Sequence, residues 1–388
     1  MKIDDLRKKI DALDRRIVAL INERASCAHE IGRIKRDTNR EIYAPEREKA
    51  VYEKVEGMSG GPLPAGSLRA IYREIMSASL AIEKKLVVAY LGPEATFTHL
   101  AARNKFGGSV DYAPAASITD IFGEVERGAA DYGVVPIENS NEGAVTHTLD
   151  MFADSRAKIC AEIYLDISHC LMASCAPREI TTIYSKAEVF GQCRAWIREN
   201  CPSVELIDCS STARAAERAA GEPGAAAIAS ELAAELYGLR IAARGIEDSG
   251  RNETRFLVIG RASAGPSGDD KTSILVSISD RVGALHRMLY PFRRHAINLT
   301  KIESRPSKRK AWEYYFFIDL EGHVAQKKVA EALRELERQC LFVEHLGSYP
   351  RAKPRLPCAC AEETKRNRRP RRAGKPGGLN RNRAGRVG

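Results

Sequence analysis

Four polar clusters lie at the ends of β-rich apolar runs, where side chains can bind a ligand or move a proton. They are Glu138-Asn139-Ser140 with Gly143, Ser185 with Gln192, Ser210-Ser211-Thr212, and the stretch Asn252-Glu253-Thr254-Arg255-Phe256. Taken singly, such a cluster is more often a strand-entry loop or the N-cap of the next helix. Their convergence favours a ligand site, because open α/β sheets bind ligands at the carboxyl ends of their strands. These residues alone identify no reaction.

A second set of charged residues interrupts an apolar helical seam near the start of the chain. Apolar residues recur on alternating steps of three and four from Ile3 to Ile34, a heptad pattern that needs a partner helix. Arg24 occupies a seam position, and it predicts an anion there because a buried charge is costly unless paired. Lys35, three turns on, faces the same way. Arg7 lies about 25 Å from Arg24 along the axis, so it reaches the same small ligand only from a second subunit.

Helices must position this charged set. A second helix begins at a proline, a favoured first residue, and presents Arg47 and Glu48. A glycine-rich linker precedes a third helix, on which Ser79 and Glu83 lie one turn apart. Residues 1–85 are therefore predicted to form an all-α domain that is a dimer or an extended bundle.

The strand-end clusters need a different scaffold. Strands alternate with helices over residues 86–262, which predicts mostly parallel sheets. The chain leaves a first sheet, builds a second and returns, so we expect two lobes, about 86–166 plus 243–262 and 167–242, with a cleft between them. Residues 272–350 follow a βαββαβ order, which predicts an α+β ferredoxin-like sandwich.

Charge and composition limit the partners. The formal net charge is +10, but residues 351–388 hold 13 of the 61 Lys and Arg and two of the 51 Asp and Glu. The rest of the chain is nearly neutral and predicts no nucleic-acid partner. The basic tail is predicted to be disordered, with weak binding of RNA through charge as the alternative.

The lack of targeting and metal-binding patterns in the sequence favours an ordinary intracellular enzyme or binding protein. No apolar run approaches the roughly 20 residues that span a bilayer, and the start lacks a signal-peptide pattern. The ten cysteines form no Cys-x-x-Cys pair, and the eight histidines show no ligand spacing. We expect a cytoplasmic protein with reduced thiols, no metal site, no cofactor and no membrane partner.

The N-terminal motifs resemble those of the all-helical chorismate mutase family, whose members form an intertwined dimer. The matching stretches are LRKKIDALD, NER, GRIK, YAPERE and the helix of Ser79 and Glu83. The resemblance implies that chorismate is bound by Arg7, Arg24, Lys35, Arg47, Glu48, Ser79 and Glu83. Ala44 stands where some members carry an aspartate, which removes a peripheral contact.

The implied reaction, chorismate to prephenate, is a pericyclic rearrangement that needs no nucleophile. The protein must hold a dicarboxylate in a compact pose and stabilise charge on the ether oxygen. Arginines bind carboxylates bidentately, and Lys35 is implied to donate to the ether oxygen. Glu83 donates there only when protonated, so we expect mutase activity to fall as pH rises and Glu83→Gln to flatten that profile.

Four stretches of the middle segment resemble the prephenate dehydratase signature, namely YLGPEATFTHLAA, VPIENSNEGAV, YSKAEVFGQC and NETRF. That family has a fold like that of type II periplasmic binding proteins. Its site residues, carried over to this sequence, are Asn139, Ser185, Gln192, Thr254 and Arg255. The sequence departs from the family at Lys186-Ala187, which replaces a common His-Pro, and at Ala95, which replaces a common glycine.

The implied second reaction converts prephenate to phenylpyruvate with loss of carbon dioxide and water. Arg255 suits the role of anchor for the pyruvyl carboxylate. The resemblance implies that Thr254 is the proton donor to the leaving hydroxyl. Because a threonine hydroxyl is a weak acid, we expect it to relay a proton or to hydrogen-bond the departing oxygen.

The C-terminal sandwich resembles the ACT amino-acid-sensing domain that is attached to prephenate dehydratases. The resemblance implies a phenylalanine site across a subunit interface, formed by Gly283, Ala284, Leu285, Asn298, Leu299, Glu303, Ser304, Arg305 and Pro306. Gly283 would let a backbone N–H approach the ligand carboxylate closely. Phenylalanine is expected to shift the dehydratase to a less active state.

Three interpretations remain open from the sequence. The first is a bifunctional homodimer or higher homo-oligomer that acts on chorismate and prephenate under phenylalanine feedback. The second is a dehydratase whose helices are only a dimerisation arm, or one that prefers arogenate. The third is a non-catalytic amino-acid sensor. The charged set around Arg24 disfavours the second, and the pair Asn139 and Thr254 disfavours the third.

Overall fold

The computed structural model describes residues 2–38, 41–250, 252–307 and 314–352. The prediction of a basic, disordered tail at 351–388 lies outside these residues except for the first two positions. Within the described ranges, no helix has the length and apolar character needed to cross a membrane.

Three helices, α1 (Ile3–Asp37), α2 (Pro45–Met58) and α3 (Ala65–Glu83), form the N-terminal segment. The C-terminal half of α1 packs against α3 closely enough that a Cβ on the buried Gly32 would lie 2.6 Å from Cγ of Glu83. The rest of the seam faces solvent, with Ile10 and Ile17 exposed by 54% and 51%. A long apolar face of this kind is covered by a partner helix in stable assemblies.

Strands and helices alternate along the middle segment, as β1 (Val87–Leu91), α4 (Phe97–Phe106), β2 (Asp111–Ala115), α5 (Ile118–Glu126), β3 (Tyr132–Asn139), β4 (Gly143–Ala144), α6 (Thr146–Met151), β5 (Lys158–Asp166), β6 (Cys170–Ala173), β7 (Thr182–Ser185), α7 (Ala187–Gln192), α8 (Arg194–Asn200), β8 (Glu205–Asp208), α9 (Thr212–Gly221), β9 (Ala225–Ala229), α10 (Glu231–Tyr237), β10 (Arg240–Ala243) and β11 (Glu253–Gly260). One sheet has the order β2-β1-β3-β11-β5 with β4 on β3, and another has the order β10-β6-β9-β7-β8. The α/β architecture with two sheets is confirmed.

The expectation of mostly parallel sheets is wrong, because both sheets are mixed. In the first sheet, β1 runs parallel to β2 and β3, but β11 runs antiparallel to β3 and β5. In the second, β7 is parallel to β8 and β9, whereas β6 is antiparallel to β9 and β10. The antiparallel strands are those on which the chain leaves the first sheet and comes back to it.

The C-terminal segment consists of β12 (Asp270–Ser277), α11 (Ala284–Arg294), β13 (Leu299–Pro306), β14 (Tyr314–Glu321), α12 (Lys327–Glu337) and β15 (Phe342–Pro350). Its antiparallel sheet has the order β13-β14-β12-β15, which confirms the ferredoxin-like sandwich.

This third sheet is covered on both faces. Ile274 packs with α11 and α12 on one face. Leu275 and Phe317 lie on the other face, in a core shared with Ile159 of the middle segment. Gly347 permits the contact, because a Cβ there would lie 2.1 Å from the carbonyl oxygen of Ile159. Burial of both faces explains why all eight residues of β12 are buried and why Ile274, Leu275 and Val276 follow one another as apolar residues.

Ala95 occupies a position where the fold favours glycine. Its φ is +68°, and a residue with a Cβ costs about 1–2 kcal/mol in the left-handed region. Two hydrogen bonds hold this turn. The Ala95 N–H donates to Nδ1 of His99 at 3.1 Å, and its carbonyl accepts from Oγ of Ser230 at 3.0 Å.

Candidate active sites

Strand pairing brings two of the predicted dehydratase residues together. Thr254 on β11 lies opposite Asn139 at the end of β3. The amide Nδ2 of Asn139 donates to Oγ1 of Thr254 at 2.7 Å. Thr254 is buried, so this pair lies in a site that excludes most water.

The orientation of the Asn139 amide is fixed by the loop that follows it. Its Oδ1 accepts from the backbone N–H of Asn141 at 2.9 Å and of Glu142 at 3.1 Å. A flipped amide would face those donors with its own N–H groups, so the nitrogen must face Thr254. The Thr254 oxygen is therefore an acceptor towards Asn139, and its own proton stays available for another acceptor.

A chain of polar side chains continues from this pair across to the second lobe. Asn139 also donates to Oδ1 of Asn252 at 2.7 Å, and Nδ2 of Asn252 donates to Oε1 of Gln192 at 3.2 Å. Nε2 of His169 lies 2.8 Å from the same Gln192 oxygen. Gln192 in turn donates from Nε2 to Glu142 at 3.2 Å. The Thr254 network, as we call Thr254, Asn139, Asn252, Gln192 and His169, thus joins β3 and β11 to α7.

His169 is held as a neutral imidazole. Because the acceptor oxygen of Gln192 faces Nε2, that nitrogen carries the proton, and the buried Nδ1 has no hydrogen-bond partner. Burial lowers the pKa of His169, against the opposing effect of the Gln192 hydrogen bond. The ring packs edge-on against Phe97, with centroids 5.5 Å apart.

Sequence analysis missed Asn252 and His169 as members of the site. Asn252 was part of a polar cluster but carried no assigned role. His169 stands in the largely apolar stretch from Lys158 to Ala173, which lies outside the four polar clusters. A histidine within a largely apolar stretch was the available signal, since a buried imidazole needs a hydrogen-bond partner.

Ser185 lies apart from the network. It is fully buried, and its hydroxyl donates to the carbonyl oxygen of Ile228 at 2.8 Å inside the second lobe. At the third predicted cluster, Ser211 caps α9 by accepting from the backbone N–H of Arg214 at 3.0 Å. The ordinary N-cap interpretation therefore holds for that cluster.

The structure places Arg255 away from Thr254. Adjacent residues of a strand point to opposite faces, so the Arg255 side chain faces the C-terminal sheet. Its Nε donates to Glu162 at 2.9 Å, and its terminal nitrogens donate to Asp319 at 2.6 Å and to the hydroxyl of Tyr349 at 3.0 Å. The guanidinium is only 3% exposed. These contacts disfavour the expectation that Arg255 anchors a substrate carboxylate, because buried carboxylates already pair with this cation.

In the helical segment, four of the predicted residues meet in two pairs. NH1 of Arg24 donates to Oγ of Ser79 at 2.8 Å, from α1 to α3. One turn further along α3, Glu83 lies 3.5 Å from Nζ of Lys35, and both side chains are largely buried. The two groups that the resemblance assigns to the ether oxygen are thus neighbours.

The other predicted mutase residues are not brought to these pairs. Arg7 is exposed and forms a surface ion pair with Asp4 at 3.4 Å. Arg47 is also exposed. Glu48 contacts Tyr43 and Lys105, each at 2.7 Å from Oε2. A single copy of the chain therefore presents an open, unfinished site.

The residues predicted to bind phenylalanine lie on two elements. Gly283 has a φ of +77° and immediately precedes Ala284, the first residue of α11, and Leu285 follows half-exposed. Asn298 is exposed just before the edge strand β13, which carries Leu299, Glu303, Ser304, Arg305 and Pro306.

Strand β13 is also tied to the middle segment. Nζ of Lys301 contacts a carboxylate oxygen of Glu138, the residue before Asn139. Nε of Arg305 lies 3.2 Å from Asp150 on α6. Arg305 therefore belongs to an interface with the dehydratase segment as well as to the predicted effector stretch.

Comparisons with protein-family models match the three segments in order. Residues 6–84 match "Chorismate mutase type II", residues 88–264 match "Prephenate dehydratase" and residues 272–338 match "ACT domain". The chain is similar to a bifunctional chorismate mutase/prephenate dehydratase of Aquifex aeolicus, with 51% identity over 90% of this chain and 98% of that protein.

Solved structures resemble the part of the chain after the helices. A prephenate dehydratase from Arthrobacter aurescens in complex with L-Phe aligns with a TM-score of 0.64 and 32% identity, over 73% of this chain and 99% of that one. GqqA, described as a novel type of quorum quenching acylase, aligns with a TM-score of 0.64 and 28% identity, over 69% of this chain and 98% of that one.

Proposed function

The chain belongs to the family of bifunctional chorismate mutase/prephenate dehydratases, and we propose that it rearranges chorismate to prephenate and then converts prephenate to phenylpyruvate. The observation that carries the second activity is the hydrogen bond from Asn139 to Oγ1 of Thr254. It leaves the threonine proton directed at a further acceptor, which we assign to the leaving hydroxyl of prephenate.

The charges around this donor suit a decarboxylation. Loss of carbon dioxide is fastest when no cation stabilises the ring carboxylate. The Thr254 network consists of neutral groups, because burial lowers the pKa of His169 and its other members carry no charge. Because Arg255 is engaged by Glu162 and Asp319, we assign the anchor for the pyruvyl carboxylate to another group.

For the mutase we propose a homodimer. The exposed seam of α1 supports this, since residues such as Ile10 and Ile17 would be covered by a second copy. The dimer would also bring Arg7 of one copy to Arg24 and Lys35 of the other, which supplies the cations that a dicarboxylate needs. Without such an arrangement, Arg7 has no role in catalysis.

For regulation we propose that phenylalanine binds at Gly283 and along β13 and inhibits the dehydratase. Lys301 on β13 contacts Glu138, so a shift of this strand acts directly on the residue before Asn139. In Gly283→Asp we expect loss of both phenylalanine binding and inhibition, with turnover retained. In Lys301→Met we expect binding measured by calorimetry to persist while inhibition weakens. Normal inhibition in both variants would contradict this route.

The experiment that tests both activities is incubation with chorismate. Loss of chorismate absorbance reports the mutase, and phenylpyruvate absorbance in alkali reports the dehydratase. If the chain consumes added prephenate but not chorismate, the helices serve only as a dimerisation arm. A parallel assay with arogenate as substrate tests whether the dehydratase prefers arogenate to prephenate. No conversion of any of the three would leave an amino-acid sensor.

The acylase activity described for GqqA is not transferred to this chain. Acyl transfer needs a nucleophile beside a general base. The buried Ser185 hydroxyl donates to Ile228, and His169 contacts Gln192, so these two groups form no such pair. We also propose that the protein is cytoplasmic, where its substrates are expected. The cysteines among the described residues are free thiols, which agrees with a reducing compartment.

A further inference from the structure

Glu48 lies where the helical segment meets the dehydratase segment. The lysine that contacts it, Lys105, stands on α4, outside the helices that the mutase resemblance covers. Nζ of Lys105 is 2.7 Å from Oε2 of Glu48, and the side chains are only 21% and 11% exposed. An ion pair this far buried is stronger than a surface pair, because solvent screens it less.

The surroundings of Glu48 contain hydrogen-bond donors that stay neutral. The Tyr43 hydroxyl donates to the same Oε2 at 2.7 Å. Burial raises the pKa of Tyr43, and burial together with the Glu48 charge raises the pKa of Tyr52. Both phenols thus remain protonated, and among the described residues Lys105 is the cation that contacts this carboxylate.

Rigid packing supports the contact on the dehydratase side. The Tyr43 ring lies 5.1 Å from that of Phe106 and 5.2 Å from that of Tyr132. Lys105 precedes Phe106 at the end of α4, so its ammonium is placed by a helix whose next residue is locked in this aromatic cluster. The contact therefore fixes the conformation of the Glu48 side chain. Tyr43 and Lys105 both donate to its Oε2.

We infer that Lys105 is a positioning residue for the mutase reaction, supplied by the dehydratase segment, and that it acts by fixing the conformation of Glu48, the carboxylate that the mutase resemblance assigns to chorismate. The inference rests on the proposed mutase activity and on Glu48 as a substrate-binding residue. It gives the fusion of the two enzymes a physical consequence, because the mutase site is completed by a residue of the other catalytic segment.

A second lysine distinguishes positioning from simple docking of the two segments. Lys49, the next residue of α2, contacts the carbonyl oxygen of Asp269 at 2.8 Å and is 16% exposed. It bridges the helices to the linker before β12 without touching Glu48. Lys49→Met therefore removes a comparable bridge between segments and serves as the matched control for Lys105→Met.

The test measures both activities of the full chain in each variant. We expect Lys105→Met to lower mutase kcat/KM about tenfold, mainly through KM, the size of one lost charge-assisted hydrogen bond. Lys105→Arg, which keeps the charge, should recover most of the loss. Dehydratase turnover on added prephenate should stay within about twofold in every variant, which shows that each one folds. Lys49→Met should leave the mutase unchanged.

A double-mutant cycle then assigns the effect to Glu48. If Lys105 acts through Glu48, adding Lys105→Met to Glu48→Gln should change mutase kcat/KM by no more than about twofold. Independent, additive losses would overturn the inference, and so would a normal mutase in Lys105→Met or an equal loss in Lys49→Met. A wild-type chain that leaves chorismate unchanged would instead refute the mutase activity itself, and the inference with it.

Discussion

The two candidate active sites are built in opposite ways. The dehydratase network joins neutral side chains from strand ends, the loops beside them and one helix, and it is partly buried within a single chain. The mutase site joins long, charged side chains on helices, and Arg7 and Arg47 remain in solvent. A proton donor must be held within a fraction of an ångström, which favours short side chains on paired strands. A pericyclic reaction needs cations around a dicarboxylate, and these can come from two subunits and from a neighbouring segment.

Two neighbouring residues of β11, Thr254 and Arg255, show the difference between a neutral site residue and a structural charge. Thr254 faces the cleft, whereas Arg255 joins Glu162 and Asp319 across two segments. Lys271 contacts the same Glu162 oxygen at 3.0 Å, so two cations balance two carboxylates in the buried cluster. Such a cluster couples the C-terminal sheet to the strand that carries the proposed proton donor.

The largest expected effect is on stability, in Arg255→Met. Removing this guanidinium leaves Glu162 and Asp319 buried with one cation between them, a change that costs about 3–5 kcal/mol. The free energy of unfolding, from denaturant titration, should fall by that amount, while KM for prephenate should change little in the folded fraction. Normal stability with a raised KM would restore Arg255 as the substrate anchor and would weaken the contrast drawn above.

The next largest effect is on dehydratase turnover. Thr254→Val removes the hydroxyl at nearly constant volume and should lower kcat about a hundredfold, the usual size of general acid catalysis. Thr254→Ser keeps the hydroxyl and should lose much less. Both variants should retain mutase activity on chorismate, which serves as the folding control. If the valine variant keeps near-normal turnover, the assignment of the proton donor is wrong.

A third prediction tests whether the mutase site is shared between subunits. Arg7→Ala and Arg24→Ala should each lower mutase kcat/KM at least about tenfold, through loss of a charge-assisted contact. After the two variants are unfolded together and refolded, random pairing should return about a quarter of the wild-type sites, because each mixed dimer has one intact site. No recovery in the mixture would place the whole site within one chain.

The smallest expected effect is on stability in acid, and it belongs to the dehydratase side. Burial, with a lesser effect of Arg103, lowers the pKa of His99 to about 4, and its Nδ1 accepts from the Ala95 N–H. Between the unfolded pKa of about 6.5 and the folded value, the unfolded state binds more protons, so stability decreases as the pH is lowered, by at most about 1.4 kcal/mol per pH unit. Above that window the contribution is complete.

The variant His99→Asn keeps an acceptor near the Nδ1 position without titrating. Its unfolding midpoint should therefore depend less on pH between about 4 and 6.5 than that of the wild type. Part of the slope should remain, because burial also lowers the pKa of His345 to about 4. An equal slope in both proteins would show that His99 does not titrate in this window.

Much of the fold could be predicted from the sequence, because local patterns carry it. The heptad steps predicted α1, and strand–helix alternation predicted the α/β segment with its two sheets. The direction of β11 could not be predicted, because parallel and antiparallel pairing both suit an apolar run. The polar clusters also indicated Asn139 and Thr254 before any contact was known. They did not reveal His169, because its contact with Gln192, 23 residues further along the chain, is set by tertiary packing and not by a local pattern.

The segments, their order and most residue types of the two sites therefore follow from the amino-acid sequence, since periodicity and motif spacing are local properties. The contacts of each side chain, in contrast, follow from the three-dimensional packing of the chain. Arg255 faces the C-terminal sheet, because alternate residues of a strand face opposite sides. Glu48 forms an ion pair with Lys105, and the apolar seam of α1 remains exposed. Packing between distant segments depends on shape and burial, which no local sequence pattern records.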